Sequence, residues 1–196
     1  MNLAIDIDDV LLQNTKAFIE FLSEEGYNVK YEDFTSRRIW EILGCSKSES
    51  EKLIVKFYHS NNFKNMKMIP DADKALAKLI KEFKLNFVTN RPEFTRETTL
   101  SLINRYFGDL TKEIIFLGQF QKELHEESAK KKIIEDKLKC KYFIEDDIDV
   151  INQIDTKKVK IIIFSQPWNI KAKDTKSVKR VSSWNEIEEY ILGESN

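Results

Sequence analysis

Short apolar, β-rich runs alternate along most of the chain with stretches whose apolar positions recur at helical spacing. The runs are Leu3 to Ile7, Leu85 to Thr89, Ile114 to Leu117, Tyr142 to Glu145 and Val159 to Phe164. Their near-continuous apolar character suits strands buried on both faces of a parallel sheet. The spacing between them predicts helices over Asp73 to Phe83, Glu93 to Tyr106, Ala129 to Leu138, Val150 to Ile154 and Trp184 to Leu192, with Gly108 and Gly193 as stops. Strand and helix in regular succession make βαβ units, hence a doubly wound α/β sandwich.

One segment breaks the alternation. From about Gln13 to Met68 no strand is evident, while apolar residues recur at helical spacing through Ala17, Phe18, Phe21 and Leu22 and again through Ile39, Trp40, Ile42 and Leu43. Gly26 and Gly44 read as helix stops, Ser46-Lys47-Ser48-Glu49 fits a capping box for a helix running toward His59, and Pro70-Asp71 marks the return to the core. The expected organisation is a core of residues 1–12 and 69–196 with a helical cap of residues 13–68. Ligands of open α/β sheets bind beyond the carboxyl ends of the strands, so an insert that follows the first strand would cover the site.

Charge collects where those strands should end. Ala4-Ile5-Asp6-Ile7-Asp8-Asp9-Val10 closes an apolar run with three carboxylates. Packed without compensation they repel one another, and a site that keeps them ionised supplies positive charge; magnesium with a phosphorylated ligand would fit. The plainer reading is a polar loop after a buried strand. Thr89 ends the next run, followed by Asn90-Arg91-Pro92, where the hydroxyl and nearby amides would suit a phosphate or simply cap a helix. Tyr142-Phe143-Ile144 leads into Glu145-Asp146-Asp147, a second acidic cluster that alone could also be a cap. The joint order is acids, Thr, a Lys-bearing helix start, then acids.

Composition narrows the partners. The 196 residues, 41% hydrophobic with 13 Phe, can bury one substantial core, and a formal net charge of -1 leaves no global footprint for a nucleic acid polymer or an anionic membrane. Cys45 and Cys140 are far apart, and His59 and His125 make no zinc pattern; reduced thiols, a cytoplasmic location and surface histidines are the expectation. No apolar stretch approaches the roughly 20 residues of a membrane span, and the chain opens on a strand in place of a basic signal segment. The expected partner is a small phosphorylated metabolite, with homodimer formation left open.

In that order the residues resemble the four motifs of the haloacid dehalogenase (HAD) superfamily of phosphatases, across essentially the whole chain. The resemblance implies a Rossmannoid three-layer sandwich with a parallel central sheet and a small helical cap after the first strand. Motif one is Asp6-Ile7-Asp8-Asp9-Val10, motif two Thr89, motif three a Lys of Lys130-Lys131-Lys132 and motif four Glu145-Asp146. Thr89-Asn90-Arg91-Pro92, the helical cap between motifs one and two, and Phe164-Ser165-Gln166-Pro167-Trp168-Asn169 look like the 5'(3')-deoxyribonucleotidase-like branch.

The resemblance assigns roles. Asp6 is the nucleophile that forms an aspartyl-phosphate, and Asp8, returning to the same side of the strand two residues on, is the general acid and base. Mg2+, the one cofactor implied, is held by the Asp6 carboxylate, the Asp8 backbone carbonyl and Asp146, with Glu145 and Asp147 orienting that shell. Thr89, the Asn90 amide and a lysine neutralise the phosphoryl oxygens; counting back from motif four favours Lys131, with Lys130 next. The family commonly has Gly where Asp9 stands, which adds a charge and removes backbone freedom. Tyr31, Phe34, Arg37, Arg38 and Trp40 gather aromatic and basic groups in one stretch of the cap, to stack a base and steady a phosphate or simply to pack. From these, Trp40 and Arg38 join Asn90, Arg91 and Lys130 as substrate-binding candidates, while Trp168 braces either the rim of the site or the fold.

The implied activity is hydrolysis of a nucleoside monophosphate or, with the same chemistry, of a sugar phosphate or similar metabolite. The alternative of another class is a non-catalytic phosphate or magnesium binder. A receiver-like signalling module is disfavoured by motif order, because receivers place their Lys after the Thr on the last strand and here acids return after the Lys.

Overall fold

The computed structural model describes residues 1–110, 114–118 and 129–194. Its strands are β1 (Asn2–Ile5), β2 (Lys84–Thr89), β3 (Ile114–Phe116), β4 (Cys140–Glu145), β5 (Lys160–Phe164) and β6 (Val178–Val181). All neighbours are parallel, in the order β3-β2-β1-β4-β5-β6. The first five lie where the apolar runs predict them. β6 escaped that reading because Val178-Lys179-Arg180-Val181 is short, half charged and at the sheet edge, with Val181 its one fully buried residue.

Alternate side chains sort to two layers. Leu3 and Ile5 of β1, with Tyr142 and Ile144 of β4, pack against α5 (Ala72–Leu79), α6 (Arg96–Phe107) and α9 (Trp184–Gly193) through residues such as Leu76, Ile103 and Trp184. Ala4, Phe143, Ile161 and Ile163 face the opposite layer, where Ile134 and Ile151 of α8 (Ile148–Ile151) cover them. A strand side chain between such layers contributes about 1.5–3 kcal/mol when fully buried, which is why the three buried positions ahead of Asp6 are the apolar Leu3, Ala4 and Ile5, with Asn2 only half-buried at the start of β1. This is the HAD-like three-layer α/β fold.

Several helices differ in detail from their periodicity. The stretch from Glu93 opens with a single 3-10 turn (Glu93–Thr95) before α6. The predicted helix from Ala129 is one α-turn, α7 (Ala129–Lys131), that runs into a π-helix over Lys132–Lys137. α8 starts earlier than predicted because the Asp147 carboxylate accepts the Asp149 amide at 2.9 Å and caps it. Gly193 is the last residue of α9 and does not lie beyond it.

Between β1 and α5 the chain forms α1 (Asn14–Glu24), α2 (Ile39–Leu43), α3 (Lys47–His59) and α4 (Asn61–Lys64). Ser46 accepts the Glu49 amide at 3.2 Å to start α3, and Gly44 ends α2 at φ 63°. Phe18, Phe21, Phe57 and Phe63 form the segment's own aromatic core, with ring centroids 5.1 Å apart for Phe18 and Phe57 and 5.4 Å for Phe57 and Phe63. Both connections to the sheet pass through one antiparallel bridge: Leu12 pairs with Met68, Gln13 N donates to Lys67 O and Ile69 N to Leu11 O, each at 2.8 Å. The segment thus stands over the carboxyl end of β1 on a two-stranded strap.

Candidate active site

Sheet order reverses at β1, and the polar residues converge there. Ile5 is in register with Ile144, and Asp6 N donates to Ile144 O at 3.0 Å, so Asp6 and Glu145 leave adjacent strands side by side. Oxygens of Asp6, Glu145 and Asp146 lie within 4.8 Å of one another, and all three residues are buried. Lys130 places its ammonium between two of them, 2.5 Å from Asp6 Oδ1 and 2.6 Å from Glu145 Oε2. Burial opposes that charge, but the two carboxylates outweigh it and hold the lysine well above its ordinary pKa.

The carboxylates shift the other way. Burial, with repulsion from Glu145, pushes Asp6 up to about 8 against the lowering effect of Lys130. Glu145 and Asp146 are each pushed up to about 7, again chiefly by burial. Three buried acids share one buried lysine and the partly exposed Arg37, which leaves them short of positive charge. Asp146 Oδ1 is buried and has no hydrogen-bond partner among the described residues, whereas Asp146 Oδ2 accepts from Arg37 Nη2 at 2.5 Å and Trp168 Nε1 at 2.8 Å. Hard carboxylate oxygens with one acceptor left over fit a magnesium ion. Glu145 Oε1 is committed to the amides of Asp146 (3.1 Å) and Asp147 (3.2 Å), so Glu145 shapes the loop that presents Asp146.

Placement of the sequence candidates is mixed. Thr89, completely buried at the end of β2, accepts the Arg91 amide at 3.1 Å, and Asn90 lines the cavity. Of the consecutive lysines, the one in the site is Lys130 and not the favoured Lys131, whose side chain is 41% exposed and lies 3.9 Å from Glu135. Sequence counting assumed a regular helix after the lysines, and the π-helix changes the phase by which each one points. Arg91 does not face the cavity: Nε and Nη2 engage Asp8, Nη1 donates to Thr99 Oγ1 at 2.9 Å, and the guanidinium lies over the Phe63 ring. Arg38 is exposed and pairs with Glu41 at 3.0 Å, and Trp40 packs beside Lys47 outside the cavity lining. Their neighbour Arg37 is the cation that enters, over the Trp168 ring at 4.5 Å from its centroid. His59 is exposed, and His125 lies outside the described residues.

Asp9 resolves the departure at the usual glycine. It adopts φ 55°, a left-handed conformation that Asp tolerates better than most residues, and its carboxylate accepts both the amide (2.9 Å) and hydroxyl (2.6 Å) of Thr15. The side chain that costs backbone freedom therefore pins the start of α1. The loop after β5 completes the frame: Gln166 Nε2 donates to Asp9 O at 2.7 Å and Asn169 Nδ2 to Asp146 O at 2.7 Å. The sequence marks both only as members of the Phe164–Asn169 run that carries the resemblance and gives neither a role, since a single amide in a loop carries no periodic or spacing signal.

Above this polar floor lies a cavity of about 220 Å³ whose upper wall includes Phe18, Phe34, Ile54, Phe57 and Tyr58 of the helical segment. Among the described residues no helix is long and apolar enough to cross a membrane.

Comparisons with known proteins bear on the family and the fold. Residues 1–195 match the family model described as 5' nucleotidase, deoxy (pyrimidine), cytosolic type C protein (NT5C). No curated protein matches. Among solved structures, a haloacid dehalogenase-like family hydrolase from Streptococcus pneumoniae is 13% identical, with TM-score 0.69 over 97% of each chain. A HAD-hydrolase-like protein of Bacillus subtilis, bound to magnesium, is 16% identical with TM-score 0.65 over 98% of each chain. A HAD family hydrolase from Deinococcus radiodurans, with bound phosphate and sodium, is 12% identical with TM-score 0.64 over 99% of this chain and 96% of its own. At such identities the structural likeness speaks for the fold.

Proposed function

Because the chain belongs to the family of 5' nucleotidase, deoxy (pyrimidine), cytosolic type C proteins, HAD-type phosphatases, we propose that it is a magnesium-dependent phosphomonoesterase of nucleoside monophosphates working through an aspartyl-phosphate. The observation that carries this reading is the gathering of Asp6, Glu145 and Asp146 within 4.8 Å at the mouth of β1, with Lys130 between Asp6 and Glu145.

Asp6 attacks phosphorus in line, the ester oxygen leaves, and water then hydrolyses the aspartyl-phosphate, so one difficult displacement becomes two easier ones. Asp8 hands a proton to the leaving oxygen and later takes one from the attacking water. Arg91 holds the Asp8 carboxylate in one orientation, as a positioning residue. Lys130, Thr89 and the Asn90 amide meet the equatorial phosphoryl oxygens, where fixed donors act most strongly on developing charge. Asp6, Asp146 and the Asp8 backbone carbonyl would hold Mg2+. When bound, the ion supplies Lewis-acid charge stabilisation at the phosphoryl group and the positive charge the buried carboxylates lack.

Residues 13–68 act in this reading as the cap that closes the cavity and selects the leaving group. Arg37 brings a second cation to the phosphate side, and the aromatic wall of Phe18, Phe34, Phe57 and Tyr58 suits a planar base. The test is phosphate release from nucleoside 5'- and 3'-monophosphates and sugar phosphates, with Mg2+ and with chelator. Metal-dependent turnover that prefers nucleotides supports the assignment, and preference for sugar phosphates overturns its specificity.

A further inference from the structure

One polar atom in the cavity wall has no part in that chemistry. Asn14 lines the cavity, and its Oδ1 is buried without a hydrogen-bond partner among the described residues. Local structure explains where it stands. Leu12 bridges to Asp8, and Asn14 N donates to Leu12 O at 2.9 Å, so the first residue of α1 is folded back toward the residue assigned to the leaving oxygen. Next to it, Thr15 spends both its amide and its hydroxyl on Asp9, which fixes the helix start while leaving the Asn14 carboxamide uncommitted.

A buried amide oxygen with nothing to accept from costs about 1–3 kcal/mol, and an apolar residue of the same size would avoid that cost in a cavity wall that also holds Phe18 and Tyr58. The arrangement makes sense when a ligand supplies the donor. We propose that Asn14 is a specificity-determining residue: its carboxamide accepts a hydrogen bond from a hydroxyl of the leaving alcohol near the ester oxygen. Preferred substrates are then phosphate esters of polyols, pentose sugars of nucleotides included, over esters of alcohols that lack that hydroxyl. The inference rests on the phosphatase reading and deepens it, because a site built to bond a hydroxyl discriminates strongly against the analogue without one.

The experiment pairs enzyme and substrate deletions. Wild type, Asn14→Leu and Asn14→Ser are assayed with Mg2+ on ribo-, 2'-deoxy-, 3'-deoxy- and 2',3'-dideoxynucleoside 5'-monophosphates of one base, after thermal melts establish that each variant is folded. Removal of one sugar hydroxyl should lower wild-type kcat/KM by about fivefold to tenfold, the worth of one neutral hydrogen bond. Asn14→Leu should lose the same factor on the hydroxylated ester and show no further loss on the deleted one, with Asn14→Ser between. Equal substrate ratios in wild type and Asn14→Leu, or a wild type indifferent to every hydroxyl, overturn the proposal while leaving the phosphatase reading standing. A folded wild type that releases no phosphate from any of these esters overturns the nucleotidase reading and this inference with it.

Discussion

Arg91 grips Asp8 side on, with Nη2 2.8 Å from Oδ1 and Nε 3.1 Å from Oδ2. The same guanidinium rests on Phe63 of the helical segment and reaches Thr99 of α6, so the residue proposed to move protons is tied to both the core helix α6 and the segment above the site. Arg91→Leu leaves a partly exposed carboxylate and a hole between those parts. A loss of about 3 kcal/mol in stability is expected, read as a lowered Tm, together with a fall in kcat greater than the rise in KM. Unchanged kcat in a folded variant would remove Arg91 from any positioning role.

Lys130 and Lys131 are adjacent in sequence and opposite in environment. Lys130→Met should reduce kcat by about 10²–10³-fold, the usual effect of removing one fixed donor from developing charge. Lys131→Met should leave kcat within about twofold, as expected for an exposed side chain. The reverse pattern would restore the assignment that sequence counting favours.

Arg37 and Arg38 make a second matched pair. Arg37 reaches Asp146 and Trp168 inside the cavity, while Arg38 pairs with Glu41 in solvent. Arg37→Met should raise KM for the phosphate ester by about tenfold, a loss near that of one charge-assisted hydrogen bond. Arg38→Met should leave KM unchanged.

The buried acids set a pH dependence whose sign follows from their raised pKa values. Burial pushes Asp6 up to about 8 and Glu145 and Asp146 up to about 7, whereas the same groups in the unfolded chain ionise near 4. Between those limits the folded state holds protons that the unfolded state has released. Their contribution to stability is complete below about pH 4 and is lost as pH rises through 7 to 8. In chelator, Tm should therefore fall from about pH 5.5 to about pH 8.5, and added Mg2+ should raise Tm more at the alkaline end, because binding displaces those protons. A chelated protein that gains stability over this range would contradict the sign.

Much of this was legible in the chain. The apolar runs ending in Asp6, Thr89 and Glu145 announce both the parallel sheet and the edge where chemistry collects, because a strand buried on two faces can change to polar residues only where it leaves the core. Angular detail was not legible. Lys130 and Lys131, or Arg37 and Arg38, differ by one step of rotation, which a π-helix or an irregular turn decides and composition does not. Trp40 looked like a stacking group and packs elsewhere, while Trp168 donates to Asp146 from a loop whose place is set by Gln166 and Asn169. Asp9 in place of the customary Gly read as a liability, and its value shows only once Thr15 is folded beneath it.

The most direct test of the central claim is to mix enzyme, Mg2+ and a nucleoside monophosphate, quench in acid within a turnover, and find the phosphoryl group by peptide mass spectrometry. A transient gain of one phosphoryl mass on the peptide that carries Asp6, absent in Asp6→Asn and in chelator, is the predicted result. Full phosphate release with no such adduct, or turnover that survives Asp6→Asn, would contradict it.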